Sequence, residues 1–145
     1  MKSLKESVLG STYKREKAKD RSLSANELRE KGIVLIEKDF LTSEEVVDHF
    51  KKLYNMYRCK EDTHSSFYCG ITNDMVIRKQ KHESEDYGGS KIASVFLIKC
   101  KNPEMAADVE KLMKEGGFNT GETDTEANGA AHDTDFVYMY REPNV

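Results

Sequence analysis

Two segments of the chain carry apolar residues at helical spacing. They lie at 41–54 and at 103–117, and each has residue types that favour the start of a helix. Thr42 or Ser43 can cap the first, and Pro103 suits the first turn of the second. The apolar positions are Val46, Val47, Phe50 and Leu53 in the first segment and Ala106, Val109, Leu112 and Met113 in the second. We predict a helix in each.

Runs of β-branched and aromatic residues predict strands at 32–40, 54–59, 67–71, 91–100 and 135–141. The polar loop between the second and third runs indicates a hairpin with a long loop. A third helix is predicted in 72–89, which begins with three residues that cap helices and ends in two glycines. These elements predict an α+β fold with a small, mostly antiparallel sheet flanked by helices.

Composition favours one domain with appendages. The chain has 145 residues, of which 37% are hydrophobic and 34% charged. Residues 1–40 read as a polar N-terminal arm with a candidate strand at 32–40. Residues 41–120 form the expected central domain, and 121–145 an acidic loop with a C-terminal strand.

Charge and cysteine content exclude several classes of protein. The formal net charge is −3, which argues against a strongly basic coat for nucleic acid, yet residues 1–21 carry a net charge of +4. A local basic surface is therefore compatible with the sequence. No apolar run is long enough to span a membrane, and no signal peptide is recognisable. Three cysteines without Cys-x-x-Cys spacing favour a reducing, cytoplasmic location over disulfides or zinc.

Two tyrosines and a glycine lie on the predicted hairpin. Tyr57 is on its first strand, and Tyr68 and Gly70 share a face of its second strand. Taken singly, the tyrosines suit ordinary packing in a sheet, and Gly70 suits a turn. The functional alternative is that Gly70, which has no side chain, lets a phosphate approach the backbone.

Arg78 and His82 are one helical turn apart, so we expect them on one helix face. Arginine suits bidentate contacts to phosphate, and histidine titrates near neutral pH. The neighbouring Lys79 and Lys81 suit an ordinary solvated face. Glu110, in the helix predicted at 103–117, fits either a surface pair with Lys114 or a ligand for Mg²⁺.

Taken together, residues 55–119 resemble the GIY-YIG nuclease family. In that family a first strand ends in Tyr, a second carries Tyr-x-Gly, and a helix presents Arg and often His. A Glu on a later helix and an Asn follow. The positions in this chain that match are Tyr57, Tyr68, Gly70, Arg78, His82, Glu110 and Asn119. The first motif departs from the family, because Asn55 and Met56 stand where Gly-Ile is usual.

The resemblance implies a Mg²⁺-dependent endonuclease, with Mn²⁺ as another usable cation, that hydrolyses phosphodiester bonds in DNA. It implies that Tyr57 is the base or orients water with help from His82, while Arg78 stabilises the transition state. Glu110 would hold the metal. Tyr68 would be a further catalytic residue, which lines the site and hydrogen-bonds the phosphate or the base. The resemblance and the local charge assign contacts with nucleic acid to Gly70, Lys79, Lys81, Lys91 and Asn119. The resemblance is also compatible with a homodimer.

Two alternatives remain at the level of sequence. The altered first motif and the acidic balance favour a catalytically degenerate module of the same fold, which binds nucleic acid or protein without cleaving it. The acidic segment at 120–135 would also suit a small α+β interaction protein with no role in nucleic-acid chemistry.

Overall fold

The computed structural model describes residues 23–84, 89–121 and 134–143. Within these ranges four α-helices and four strands follow one another in the order α1, β1, α2, β2, α3, β3, α4, β4, with a short 3-10 helix at His64–Ser66 before β2. Their bounds are Ala25–Glu30 for α1, Ile33–Leu35 for β1, Ser43–Tyr57 for α2, Phe67–Thr72 for β2, Met75–His82 for α3, Val95–Lys99 for β3, Pro103–Glu115 for α4 and Phe136–Arg141 for β4.

Side-chain caps start the three longer helices. Thr42 accepts a hydrogen bond from the backbone N–H of Glu45 at the start of α2, and Asp74 accepts one from Ile77 at the start of α3. Asn102 does the same for α4, where Pro103 takes the first helical position. The predicted helices at 41–54 and 103–117 are confirmed, and the third is confirmed but ends at His82.

The strands form one sheet in the order β1-β3-β4-β2. β1 runs parallel to β3, whereas the β3–β4 and β4–β2 pairs are antiparallel. The α+β class and the mostly antiparallel sheet are therefore confirmed. β1 comes from the predicted N-terminal arm and β4 from the predicted C-terminal segment, so the described parts of the three segments share this sheet. Residues 1–22 of the arm and 122–133 of the acidic segment lie outside the described residues.

The predicted strand at 54–59, and with it the hairpin, is wrong. α2 continues to Tyr57, because Tyr54 is four residues after Phe50 and extends the buried stripe of the helix. β2 pairs instead with β4, and Gly70 lies opposite Tyr138 in this register. The antiparallel partner of β2 is therefore β4, near the C-terminal end of the chain, and not a strand just before β2.

The sheet separates two packing layers. On one face α2 and α4 cover apolar side chains, among them Cys69 and Met139. On the other face α1 and α3 cover the alternate residues of the same strands, which include Tyr68, Tyr138 and Tyr140. We call these the α2/α4 face and the α3 face. No helix in the described ranges is long and apolar enough to cross a bilayer.

Candidate functional site on the α3 face

Three tyrosines and a histidine form an aromatic cluster between α3 and the sheet. The rings of Tyr68, Tyr138 and Tyr140 lie nearly parallel, with centroids 5.5 to 6.3 Å apart. The His82 ring meets all three edge to face, at 4.8 to 5.8 Å. This packing arises because β2 and β4 are adjacent and alternate residues of each strand point to the same face.

Both ring nitrogens of His82 are hydrogen-bonded to tyrosine hydroxyls. Nε2 lies 2.8 Å from Oη of Tyr138, and Nδ1 lies 3.0 Å from Oη of Tyr140. Burial lowers the pKa of His82 to about 4, and the positive charges of Arg78 and Lys81 add to this effect. The imidazole is therefore neutral near pH 7, with one nitrogen donating and the other accepting.

Gly70 creates the space that the Tyr138 ring occupies. A Cβ at position 70 would lie 2.5 Å from the hydroxyl oxygen of Tyr138 and 2.7 Å from its Cζ. The functional alternative at the level of sequence was that a phosphate approaches the backbone here, but the Tyr138 side chain occupies this space. Burial raises the pKa of the Tyr138 hydroxyl well above its ordinary value, and the neighbouring Tyr68 raises it further. This hydroxyl therefore stays protonated at neutral pH.

Arg78 is half-buried on α3, one turn before His82. Within the described ranges its guanidinium makes no hydrogen bond or ion pair. Its charge nevertheless acts on this cluster, because it lowers the pKa of both His82 and Tyr138. A half-buried guanidinium without a carboxylate partner can offer its paired N–H groups to a phosphate.

The lysines assigned to nucleic-acid contacts differ in their surroundings. Lys79 donates to Glu83 at 2.8 Å, and both side chains are mostly buried. Burial alone would raise the pKa of Glu83, but the Lys79 ammonium and the backbone N–H of Ile92 hold it below its ordinary value. Lys79 is therefore engaged within the fold, whereas Lys81 and Lys91 are exposed and can meet a ligand.

Tyr57 lies on the α2/α4 face. It belongs to α2 and not to a strand, so the prediction that it lies on the first strand of a hairpin is wrong. Its ring packs against Phe96, with centroids 5.2 Å apart, and Phe96 belongs to the core on that face. The tyrosine that the resemblance makes a base is thus separated by the sheet from His82.

Glu110 also lies away from Arg78 and His82. It is on α4, whose buried residues pack on the α2/α4 face. Burial raises the pKa of the Cys69 thiol, and the Glu110 carboxylate adds to this effect. A metal held by Glu110 therefore does not fit a phosphate bound at Arg78. Within the described residues, no three His, Cys, Asp or Glu side chains are grouped to hold a metal ion.

Asn119 is hydrogen-bonded to β2, the edge strand of the sheet. Its carbonyl accepts from the N–H of Cys69 at 2.8 Å, and its N–H donates to the carbonyl of Phe67 at 3.0 Å. Its side-chain amide donates to the Glu142 carboxylate. These contacts tie the segment after α4 to β2 and account for an asparagine at this position without a ligand.

Sequence reasoning missed Tyr138 and Tyr140. The alternation of "FVYMYR" does place both on one face of a strand. Their contact with His82, however, joins positions 56 and 58 residues apart. No local pattern carries that pairing. The structure thus brings together Tyr68, Gly70, Arg78 and His82, adds two tyrosines from β4, and leaves Tyr57 and Glu110 on the other face.

Comparison with known proteins adds no relative. No protein-family model, curated protein or solved structure matches the chain. The resemblance to the GIY-YIG nucleases therefore stays a prediction.

Proposed function

We propose that the protein is an endonuclease that hydrolyses phosphodiester bonds in nucleic acid, with DNA as the expected substrate, on the α3 face. One observation carries this proposal. The half-buried Arg78 guanidinium has no partner among the described residues, and it lies beside a neutral histidine and three tyrosines. Arginine without a carboxylate partner, next to a group that can accept a proton, suits the binding and activation of a phosphate.

Arg78 would have two functions in such a reaction. Its paired N–H groups would bind two oxygens of the phosphate, and they would stabilise the negative charge that grows when a nucleophile attacks phosphorus. Tyr68, which is half-buried at the edge of the cluster, would line the bound phosphate. The exposed Lys81 and Lys91 would attract the nucleic-acid backbone by charge.

The sequence also predicted Mg²⁺, or Mn²⁺, held by Glu110. A bound divalent cation would polarise the phosphate and assist the leaving oxygen. The position of Glu110 on the α2/α4 face does not fit this task at Arg78. The roles proposed for Arg78 and Tyr68 are therefore independent of a metal, and the metal requirement becomes a question for the assay.

A second candidate function is binding of nucleic acid without cleavage. The observation that favours it is the separation of Tyr57 and Glu110 from Arg78, because the resemblance needs all three residues in one site. A chain that keeps the phosphate-binding arginine but lacks the metal carboxylate beside it would bind a phosphodiester and release it intact.

A single set of assays separates the two functions. Purified protein is incubated with plasmid, single-stranded DNA and RNA, in Mg²⁺ and in EDTA, and binding to the same nucleic acids is measured across a salt series. For a nuclease we expect cleavage that falls about 10²–10³-fold in Arg78→Ala. For a binding module we expect no cleavage, but salt-dependent binding that weakens in the same variant.

Two matched variants control for charge. Arg78→Lys keeps the positive charge but loses the bidentate geometry, so we expect it to bind more weakly than wild type. Lys111→Ala removes a positive charge from the exposed surface of α4, on the far side of the sheet. We expect Lys111→Ala to behave as wild type. Both functions are contradicted if wild type neither cleaves nor binds, or if Arg78→Ala equals wild type in both assays.

A further inference from the structure

We infer that the tyrosines working with His82 in the proposed hydrolysis come from β4, as Tyr138 and Tyr140, and not from position 57. The hydroxyl of Tyr138, whose side chain is fully buried, holds the ring, and the hydroxyl of Tyr140 links it to the attacking water. This inference rests on the proposed function and assigns residues to it that the sequence did not.

The topology of the sheet is the first argument. The resemblance implies that the partner strand of β2 carries the working tyrosine. In this chain the antiparallel partner of β2 is β4, which places Tyr138 opposite Gly70 and Tyr140 opposite Tyr68. The position beside β2, which the sequence analysis assigned to a strand at 54–59, is therefore occupied by β4. The strand that carries the working tyrosines thus follows β2 in the chain, whereas the resemblance has it before β2.

The hydrogen bonds of His82 are the second argument. A neutral imidazole has one N–H and one bare nitrogen, so one of the two tyrosine hydroxyls accepts from the ring while the other donates to it. The accepting hydroxyl fixes the orientation and the tautomer of the ring. The two tyrosine hydroxyls occupy both ring nitrogens. A proton from water therefore reaches the unprotonated nitrogen through the donating hydroxyl.

The proton transfer that follows is balanced. The donating hydroxyl passes its proton to the bare nitrogen of His82 as it takes one proton from the attacking water. The water oxygen forms a bond to phosphorus, the bond from phosphorus to the leaving oxygen breaks, and that oxygen takes a proton from solvent. One proton thus moves from water to His82, and neither an oxidant nor a further reactant is needed.

Substrate binding favours this transfer electrostatically. Arg78 and Lys81 on α3 disfavour a charged His82 in the free protein, as does burial against Tyr68, Tyr138 and Tyr140 of the sheet. A phosphate bound at Arg78 brings negative charge close to the ring, which opposes these effects. His82 then becomes a better proton acceptor when substrate is present than when it is absent.

Nuclear magnetic resonance of ¹⁵N-labelled histidine tests the arrangement without depending on catalysis. The signals of His82 are assigned by their loss in His82→Gln, and the nitrogen shifts identify the tautomer. We expect one dominant tautomer in wild type. The proton should lie on Nε2, which makes Tyr140 the donating hydroxyl; a proton on Nδ1 would make the fully buried Tyr138 the donor and would overturn the inference. Tyr138→Phe and Tyr140→Phe should each change the shifts, whereas Tyr57→Phe should leave them unchanged.

Kinetics then test the role. The variant that lacks the donating hydroxyl should lose about 10²-fold or more in cleavage rate, with nucleic-acid binding retained. The variant that lacks the accepting hydroxyl should lose less cleavage rate. It should also alter the pH profile of cleavage, because the His82 ring is no longer held in place. The inference is overturned if Tyr57→Phe loses as much rate as the β4 variants, or if both β4 variants cleave as wild type.

The two failures are distinguishable. If wild type does not cleave at all, the proposed function fails, and the proposed proton transfer to His82 fails with it. The histidine spectra still decide whether the two hydroxyls hold His82. If wild type cleaves but the His82 shifts are indifferent to both β4 substitutions, the proposed function stands and the inference falls.

Discussion

The two faces of the sheet are built from alternate residues of the same strands, yet they differ in chemistry. On the α2/α4 face β2 and β4 present Phe67, Cys69, Val137 and Met139, which pack in an apolar core. On the α3 face the intervening residues are Tyr68, Gly70, Tyr138 and Tyr140. An apolar core needs no hydroxyls, and a buried hydroxyl needs a hydrogen-bond partner. The difference indicates that β2 and β4 contribute only apolar packing on the first face, whereas on the second face their side chains also organise His82.

The largest expected change in stability lies on the apolar face. Phe50 is fully buried there, and Phe50→Ala should lower the free energy of unfolding by about 3–5 kcal/mol, since it removes a large ring and leaves a cavity. Urea unfolding measures this. Lys51→Ala, at the exposed next position of α2, should change stability by about 0.5 kcal/mol or less. A small loss in Phe50→Ala would contradict the assignment of this face as a stabilising core.

Gly70→Ala should disrupt the packing of the α3 face, because a Cβ at position 70 has no room beside the Tyr138 ring. The new Cβ would press on the Tyr138 ring, which must shift and weaken its bond to His82. We expect a loss of about 2–3 kcal/mol in urea unfolding. Gly116→Ala is the matched control, because a Cβ there would meet its nearest atoms at an ordinary 3.5 Å. Equal effects of the two substitutions would remove the steric role assigned to Gly70.

Local patterns predicted the parts of the fold that depend on neighbouring residues. The helix from Pro103 to Glu115 follows from its cap, its apolar stripe and the glycines after it. The i, i+4 spacing of Arg78 and His82 likewise placed both on α3. The pairing of β2 with β4 joins Thr72 to Phe136, which is far away in the chain, so no local pattern specifies it. The tyrosine partners of His82 follow from that pairing and were missed for the same reason.

A smaller effect is expected in the pH dependence of stability. The pKa of His82 is about 4 in the folded protein, against an ordinary value of 6.5. Between these values the unfolded chain binds the proton and the folded chain does not, so the free energy of unfolding falls as the pH falls from 6.5 towards 4. With allowance for partial exposure, we expect His82 to contribute about 1–2 kcal/mol to this fall.

His82→Gln isolates that contribution. The pKa of His49 is also lowered, by burial and by Lys38 and Lys52, and it acts in the same direction in both proteins. The loss of stability between about pH 7 and about pH 4.5 should therefore be smaller in His82→Gln than in wild type. Identical pH profiles would show that His82 is not held neutral by the fold.

The central claim is that phosphodiesters bind on the α3 face, away from Glu110. The most direct test is the affinity of Arg78→Ala and Glu110→Gln for one labelled DNA duplex across a salt series. We expect Arg78→Ala to bind at least about tenfold more weakly, with a salt slope reduced by about 1. Glu110→Gln should stay within about twofold of wild type. Loss of affinity in Glu110→Gln with none in Arg78→Ala would place the site on the other face and contradict the account.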